Sequence, residues 1–232
     1  MTTSPIILAL DTKDLSEADN WVSATKTSIS VYKVGLELFL RAGLEWTKDL
    51  AKRHQVEIFL DLKLHDIPNT VEQAVASVSP IAPKFLTIHA SGGKEMIKSA
   101  VRSAGKTSIT AVTILTSLND ADLIELGFES NTQTAAVNLA KLAVGCGATS
   151  IVCSPLEVSA IRKVVPENIS LITPGVRPID SEMGDQKRAT TPEEALTLGA
   201  NFVVIGRPIT SFAKESLQSM ETRAAMILKN LV

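Results

Sequence analysis

Cysteine is scarce: Cys146 and Cys153 are the two in 232 residues. They cannot build a disulfide framework and are not spaced as Cys-x-x-Cys, so they read as reduced thiols in a cytoplasmic protein. Histidine is almost as rare, and His54, His65 and His89 stand singly with no ligand-like pairing. No intrinsic metal site is expected. Aromatics make up 4% of the chain, there is no basic run, and the net charge is −2. Those three facts leave nucleic-acid binding without a footing. No apolar run approaches the roughly 20 residues of a membrane-spanning helix. Met1–Pro5 lacks a basic stretch leading into a signal-type apolar segment. The expected partner is a small molecule, with no nucleic acid and no membrane involved.

What the chain has is apolar material, 45% of residues, against 21% charged. Short β-branched runs alternate with amphipathic stretches. The strand candidates are Ile6–Leu10, Ser30–Val34, Val56–Leu60, Phe85–His89, Ser108–Ile114, Ser150–Cys153, Ser170–Ile172 and Phe202–Ile205. Helical periodicity marks Leu38–Arg53, Val71–Ser79, Gly93–Ala104, Thr132–Val144, Pro192–Leu198 and Ile209–Leu231. Apolar strands alternating with helices imply a parallel sheet covered by helices. Eight such units in this length predict an α/β protein with a (β/α)8 TIM barrel. A doubly wound open sheet is the alternative, but no Gly-x-Gly-x-x-Gly follows the first strand. No linker or composition break divides the chain, so residues 1–232 read as one barrel domain.

A barrel carries its chemistry at the carboxyl ends of its strands. The polar residues there are Asp11, Lys33, Asp61 with Lys63, His89-Ala90-Ser91-Gly92-Gly93, Leu115-Thr116-Ser117, Thr173–Pro178 and Gly206-Arg207-Pro208. Asp61 and Lys63 are two apart, so on a regular strand both leave one face. Asp66 follows, and Pro68 and Thr70 announce a turn into a helix. Packing alone would not place two carboxylates and an ammonium at the end of a buried strand, because desolvating them costs free energy. A surface ion pair is the plain alternative for a bare Asp-x-Lys. The long seventh loop, with Gly184-Asp185-Gln186-Lys187-Arg188, and the Gly206-Arg207 pair suit a phosphorylated ligand. Glycine lets an anion approach the backbone, and arginine grips phosphate bidentately.

Taken in order, these segments resemble the orotidine 5′-monophosphate decarboxylase family. The resemblance runs through Leu8–Asp11, Tyr32–Gly35, Asp61–Thr70, His89–Gly93, Leu115–Ser117, Thr173–Pro178, Asp185–Arg188 and Ile205–Pro208, essentially the whole chain. It implies cofactor-independent conversion of orotidine 5′-monophosphate to UMP and CO2, the last step of de novo pyrimidine nucleotide synthesis. It also implies roles. Lys63 would protonate C6, with Asp61 against the substrate carboxylate and Lys33 and Asp66 completing an alternating array. Asp66 and Thr70 would reach a neighbouring subunit's site, which makes a homodimer, and Ile67 would bind substrate. Asp11 and Lys33 would hold ribose hydroxyls, and Thr116 and Ser117 the pyrimidine. Arg177, Gln186, Gly206 and Arg207 would bind phosphate.

The residues have their own argument. Loss of CO2 from a carbon without an adjacent electron sink leaves a localised carbanion, which most decarboxylases stabilise with a cofactor such as PLP or thiamine. Nothing in this sequence marks a site for either, so the expected cofactor complement is none. Relatives on the same barrel that use Mg2+ on sugar phosphates share the Asp-x-Lys but place an acid at the end of strand two. This chain has Lys33 there, a poor metal neighbour. A non-catalytic phosphate-ligand barrel would keep Arg207 without needing Lys33, Asp61, Lys63 and Asp66 together. His65 and His89 read as structural residues, and Trp21 and Trp46 as core or interface residues on helices.

Overall fold

Each apolar strand run pairs in parallel with the next, and the last pairs with the first. In the computed structural model, which describes residues 4–178 and 190–231, the strands are β1 (Ile6–Ala9), β2 (Val31–Gly35), β3 (Glu57–Leu64), β4 (Phe85–His89), β5 (Ser108–Val112), β6 (Ser150–Val152), β7 (Ser170–Thr173) and β8 (Phe202–Ile205). They close in that order into a barrel, with β1 joined to β8 through Ile7 and Val204. The helices are α1 (Leu15–Thr25), α2 (Leu36–His54), α3 (Pro68–Val78), α4 (Gly93–Ser103), α5 (Asp120–Glu125), α6 (Thr132–Gly145), α7 (Val158–Arg162), α8 (Pro192–Thr197), α9 (Arg207–Thr210) and α10 (Leu217–Lys229).

The period of two along each strand divides the core. Residues such as Leu8, Tyr32, Leu60, Leu86, Ile109, Ile151, Leu171 and Val203 belong to the large cluster packed against the helices. The alternate positions form a second, smaller cluster of Ile7, Ala9, Val31, Phe59, Phe85, Ile172 and Val204, which fills the barrel itself. Its rings meet edge to face, Phe59 with Phe85 at 5.8 Å and Phe85 with Phe202 at 5.4 Å between centroids, an arrangement that aromatic quadrupoles favour. One inward step further along the same strands, Val31 gives way to Lys33, Phe59 to Asp61, and Phe85 to Thr87. The apolar plug thus ends where the polar face begins.

Several boundaries differ from the sequence-based expectation. The segment expected as one helix over Ile209–Leu231 is α9, a 3-10 turn over Ser211–Lys214, and then α10, whose N-cap Ser216 accepts from the Ser219 amide. Helix α2 is interrupted at Gly43, which has φ +72, so the apolar periodicity carried across a break that only glycine makes at little cost. Helix α1, which carries Trp21 as expected, is capped by Asp14, which accepts from the Ser16 and Glu17 amides. Strand β3 runs four residues past its expected end at Leu60, and this difference shapes the site.

Candidate active site

Strand β3 does not continue regularly beyond Leu60. Leu60 pairs with Leu86 and the next register pair is Leu64 with Ile88, so four steps along β3 match two along β4. The extra residues form a bulge containing Asp61 and Lys63, and Lys63 has φ +50. A left-handed backbone at a long-chain residue costs on the order of 1–3 kcal/mol and persists only when its surroundings hold it. The expectation that Asp61 and Lys63 share a side is met at the level of contact, since the Lys63 ammonium donates to both Asp61 oxygens at 2.8 and 2.9 Å. The route differs: the bulge, and not regular strand alternation, brings them together. Bulges that re-aim a side chain are common beside active sites.

From there a line of alternating charge crosses three adjacent strands. The Lys33 ammonium on β2 lies 3.8 Å from Asp61 Oδ2 and 2.9 Å from Asp11, which follows β1. Asp61 and Lys33 are nearly enclosed, with side chains 12% and 13% exposed. Lys63 is more open at 31% and Asp11 is exposed. A cleft lined by Leu10, Asp11, Lys33, Gly35, Leu36, Asp61 and Lys63 opens over this line.

Two glycines border it, and only the first leaves no room for a side chain. A Cβ on Gly35 would fall 2.9 Å from the Lys33 ammonium, and one on Gly206 would fall 3.6 Å from Asp11. The second contact brings the end of β8 beside the Asp11 end of the charge line. Arg207 follows Gly206 at the exposed start of α9, where no side chain caps the first amides. Arg177 sits at the foot of the seventh loop. Its amide donates to the Thr190 carbonyl at 3.0 Å and its guanidinium to the Val176 carbonyl at 3.0 Å. Gln186 lies outside the described residues.

Asp66 does not join the line within its own chain. Its carboxylate accepts from the adjacent Ile67 amide at 2.7 Å and is exposed, as are Ile67 and Thr70. Pro68 starts α3, so Thr70 sits in the first helical turn. Thr116 and Ser117 form an exposed turn after β5, closed by the Leu118 amide on the Leu115 carbonyl.

His65 and His89, read as structural, face one another with ring centroids 5.3 Å apart. Burial holds the His89 imidazole below its ordinary pKa, and nearby His65 and Lys63 push the same way, against a smaller opposite pull from Asp61. A neutral ring beside Lys63 avoids a second cation there. One contributor escaped the sequence reading: Thr87, fully buried on β4, whose hydroxyl touches both Lys63 and Asp61. The sequence places it in phase with inward Phe85 but does not single it out, because a threonine in a strand is ordinary.

Comparison with known proteins agrees with this geometry. Residues 4–220 match the Orotidine 5'-phosphate decarboxylase / HUMPS family. An orotidine 5'-phosphate decarboxylase of Thermobifida fusca is 48% identical over 207 residues, covering 89% of each chain. One from Wolbachia pipientis is 41% identical over 230 residues, covering 98% of this chain and 99% of the other. The crystal structure of orotidine 5'-phosphate decarboxylase from Lactobacillus acidophilus superposes with a TM-score of 0.83 at 32% identity, covering 98% and 99% of the two chains. With a closed eight-strand parallel barrel, a charge line at its carboxyl face and relatives of this identity over nearly their full length, the chain belongs to the orotidine 5'-phosphate decarboxylase / HUMPS family.

Proposed function

We propose that this protein is a carbon–carbon lyase that converts orotidine 5′-monophosphate to UMP and CO2 without a cofactor. The observation that carries the reading is the unbroken Asp11–Lys33–Asp61–Lys63 line, with successive contacts of 2.9, 3.8 and 2.8 Å. In this reading the bond between C6 and the carboxylate breaks, its electron pair stays on C6, and CO2 leaves neutral. The Lys63 ammonium stands where negative charge develops, then gives its proton to C6. Asp61 faces the substrate carboxylate. At about 4 Å and an effective dielectric near 20, their repulsion is roughly 4 kcal/mol, relieved as CO2 departs and worth about three powers of ten in rate. Ground-state repulsion is secondary to Lys63, whose interaction strengthens only in the transition state.

Asp11 and Lys33 would hold the ribose, and Thr116 and Ser117 the ring. Arg177, Gln186, Gly206 and Arg207 would take the phosphate, with Gly206 beside Asp11 joining the phosphate end to the sugar end. Asp66, Ile67 and Thr70 point this reading to a homodimer with shared sites, since Asp66 is exposed and apart from its own chain's charge line. Lys33, on β2 beside Asp61, disfavours the Mg2+-dependent sugar-phosphate branch, which needs an acid at that place.

The test is pyrimidine absorbance as purified protein meets orotidine 5′-monophosphate in EDTA, beside Lys63→Ala. Spectral conversion to UMP, lost in the variant, is the expected result. A folded wild-type protein that leaves this substrate untouched, yet acts on sugar phosphates with Mg2+, would overturn the reading.

A further inference from the structure

We infer that Thr87 is a positioning residue that sets both the backbone of Lys63 and the carboxylate of Asp61. The inference rests on the decarboxylase reading above and adds a residue to it. Among the β3–β4 register pairs, Leu60 meets Leu86 and Leu64 meets Ile88, which leaves Thr87 as the one β4 residue opposite the bulge. On its other side Thr87 pairs regularly with Thr110 of β5. The bulge takes Lys63 out of the regular ladder, where its N–H would otherwise find a backbone acceptor. The Thr87 hydroxyl accepts that N–H at 2.8 Å. With its oxygen so engaged, the hydroxyl proton is free to donate, and Asp61 Oδ1 accepts it at 3.0 Å.

One buried hydroxyl therefore ties two members of the charge line to a single rigid strand. It supports the left-handed backbone of Lys63 and fixes the rotamer of the carboxylate to which the Lys63 ammonium is bonded. Thr87 is itself fully buried, so it acts through Asp61 and Lys63 rather than on the substrate's phosphate or sugar. The burden of its loss should fall on the chemical step.

The experiment compares Thr87→Val, which keeps shape and removes the hydroxyl, with Thr87→Ser, which removes a methyl and keeps the hydroxyl. In steady-state decarboxylation, Thr87→Val is expected to lower kcat about ten- to a hundredfold, the scale of a small misplacement of catalytic groups. KM should stay unchanged or fall, because repulsion by a displaced Asp61 is relaxed. Thr87→Ser should retain kcat near wild type even though it loses more packing. A purely structural role predicts the opposite order, with serine the more damaging, and that result overturns the inference, as does wild-type kcat in Thr87→Val. Should Thr87→Val fail to fold, Thr87→Cys, with a much weaker donor and acceptor, replaces it and must fall well below serine. Wild-type protein inert toward orotidine 5′-monophosphate would instead bring down the decarboxylase reading itself, and this inference with it.

Discussion

A methyl group added at residue 35 would land 2.9 Å from the Lys33 ammonium, inside any real contact distance. The backbone there is extended, φ −89 and ψ 179, so alanine is conformationally allowed and even trims the freedom of the unfolded chain. What yields is the tip of a flexible lysine, which must leave its place between Asp11 and Asp61. Gly35→Ala is therefore expected to separate activity from stability. Decarboxylation should fall about ten- to a hundredfold while the melting temperature moves by no more than about 2 °C. Thermal melts beside initial rates at saturating substrate decide it. Undiminished turnover would mean that Lys33 is not held where the charge line places it.

At the scale of elements, the barrel strands were legible because each alternates between two apolar environments and so reads as a continuous apolar run. Phe85–His89 and Phe202–Ile205 coincide with their expected bounds. Periodicity could not show the β3 bulge, since an apolar count is blind to an added residue whose consequence is a register shift against β4. The same blindness joined α9 to α10 across a 3-10 turn. The charged rim was legible because polar residues at the ends of buried strands are costly and therefore conspicuous. Thr87 was not, because a threonine in a strand is ordinary and only its two partners distinguish it.

Another short element carries a pH dependence. After β6, the 3-10 turn Pro155–Glu157 is boxed by the Glu157 carboxylate accepting the Ser154 amide at 3.1 Å. Burial raises the Glu157 carboxyl from 4.5 to about 7, against a smaller opposite pull from that amide. Below pH 4.5 folded and unfolded chains both carry the proton. Between 4.5 and about 7 the unfolded chain releases it first, so the protonated fold's advantage is lost as pH rises through that window. Wild-type melting temperature should decline from pH 5 to 7.5, and Glu157→Gln should remove that part of the decline, ending a few degrees higher at pH 7.5. Parallel curves for the two proteins would show that Glu157 does not titrate in this range.

For the whole molecule, Asp66 stands apart from its own chain's charge line. Its carboxylate is spent on the neighbouring amide and faces outward. Around the ends of the adjacent strands β2 and β3 lie Leu36, 50% exposed, Leu40, 80%, and Ile67, 67%. Leu36 also lines the charged cleft, and a two-fold dimer would cover such exposed apolar groups like with like. If each site draws Asp66 from the other subunit, two separately inactive variants must complement. In a Lys63→Ala chain paired with an Asp66→Asn chain, one site carries both lesions and the other carries neither. Random mixing after reversible dissociation puts half the dimers in that mixed state, so about a quarter of wild-type activity should return. Should the mixture stay as inactive as its parents while native mass confirms mixed dimers, Asp66 would belong to its own subunit's site. The carboxylate would then have to swing inward on substrate binding to reach Lys63.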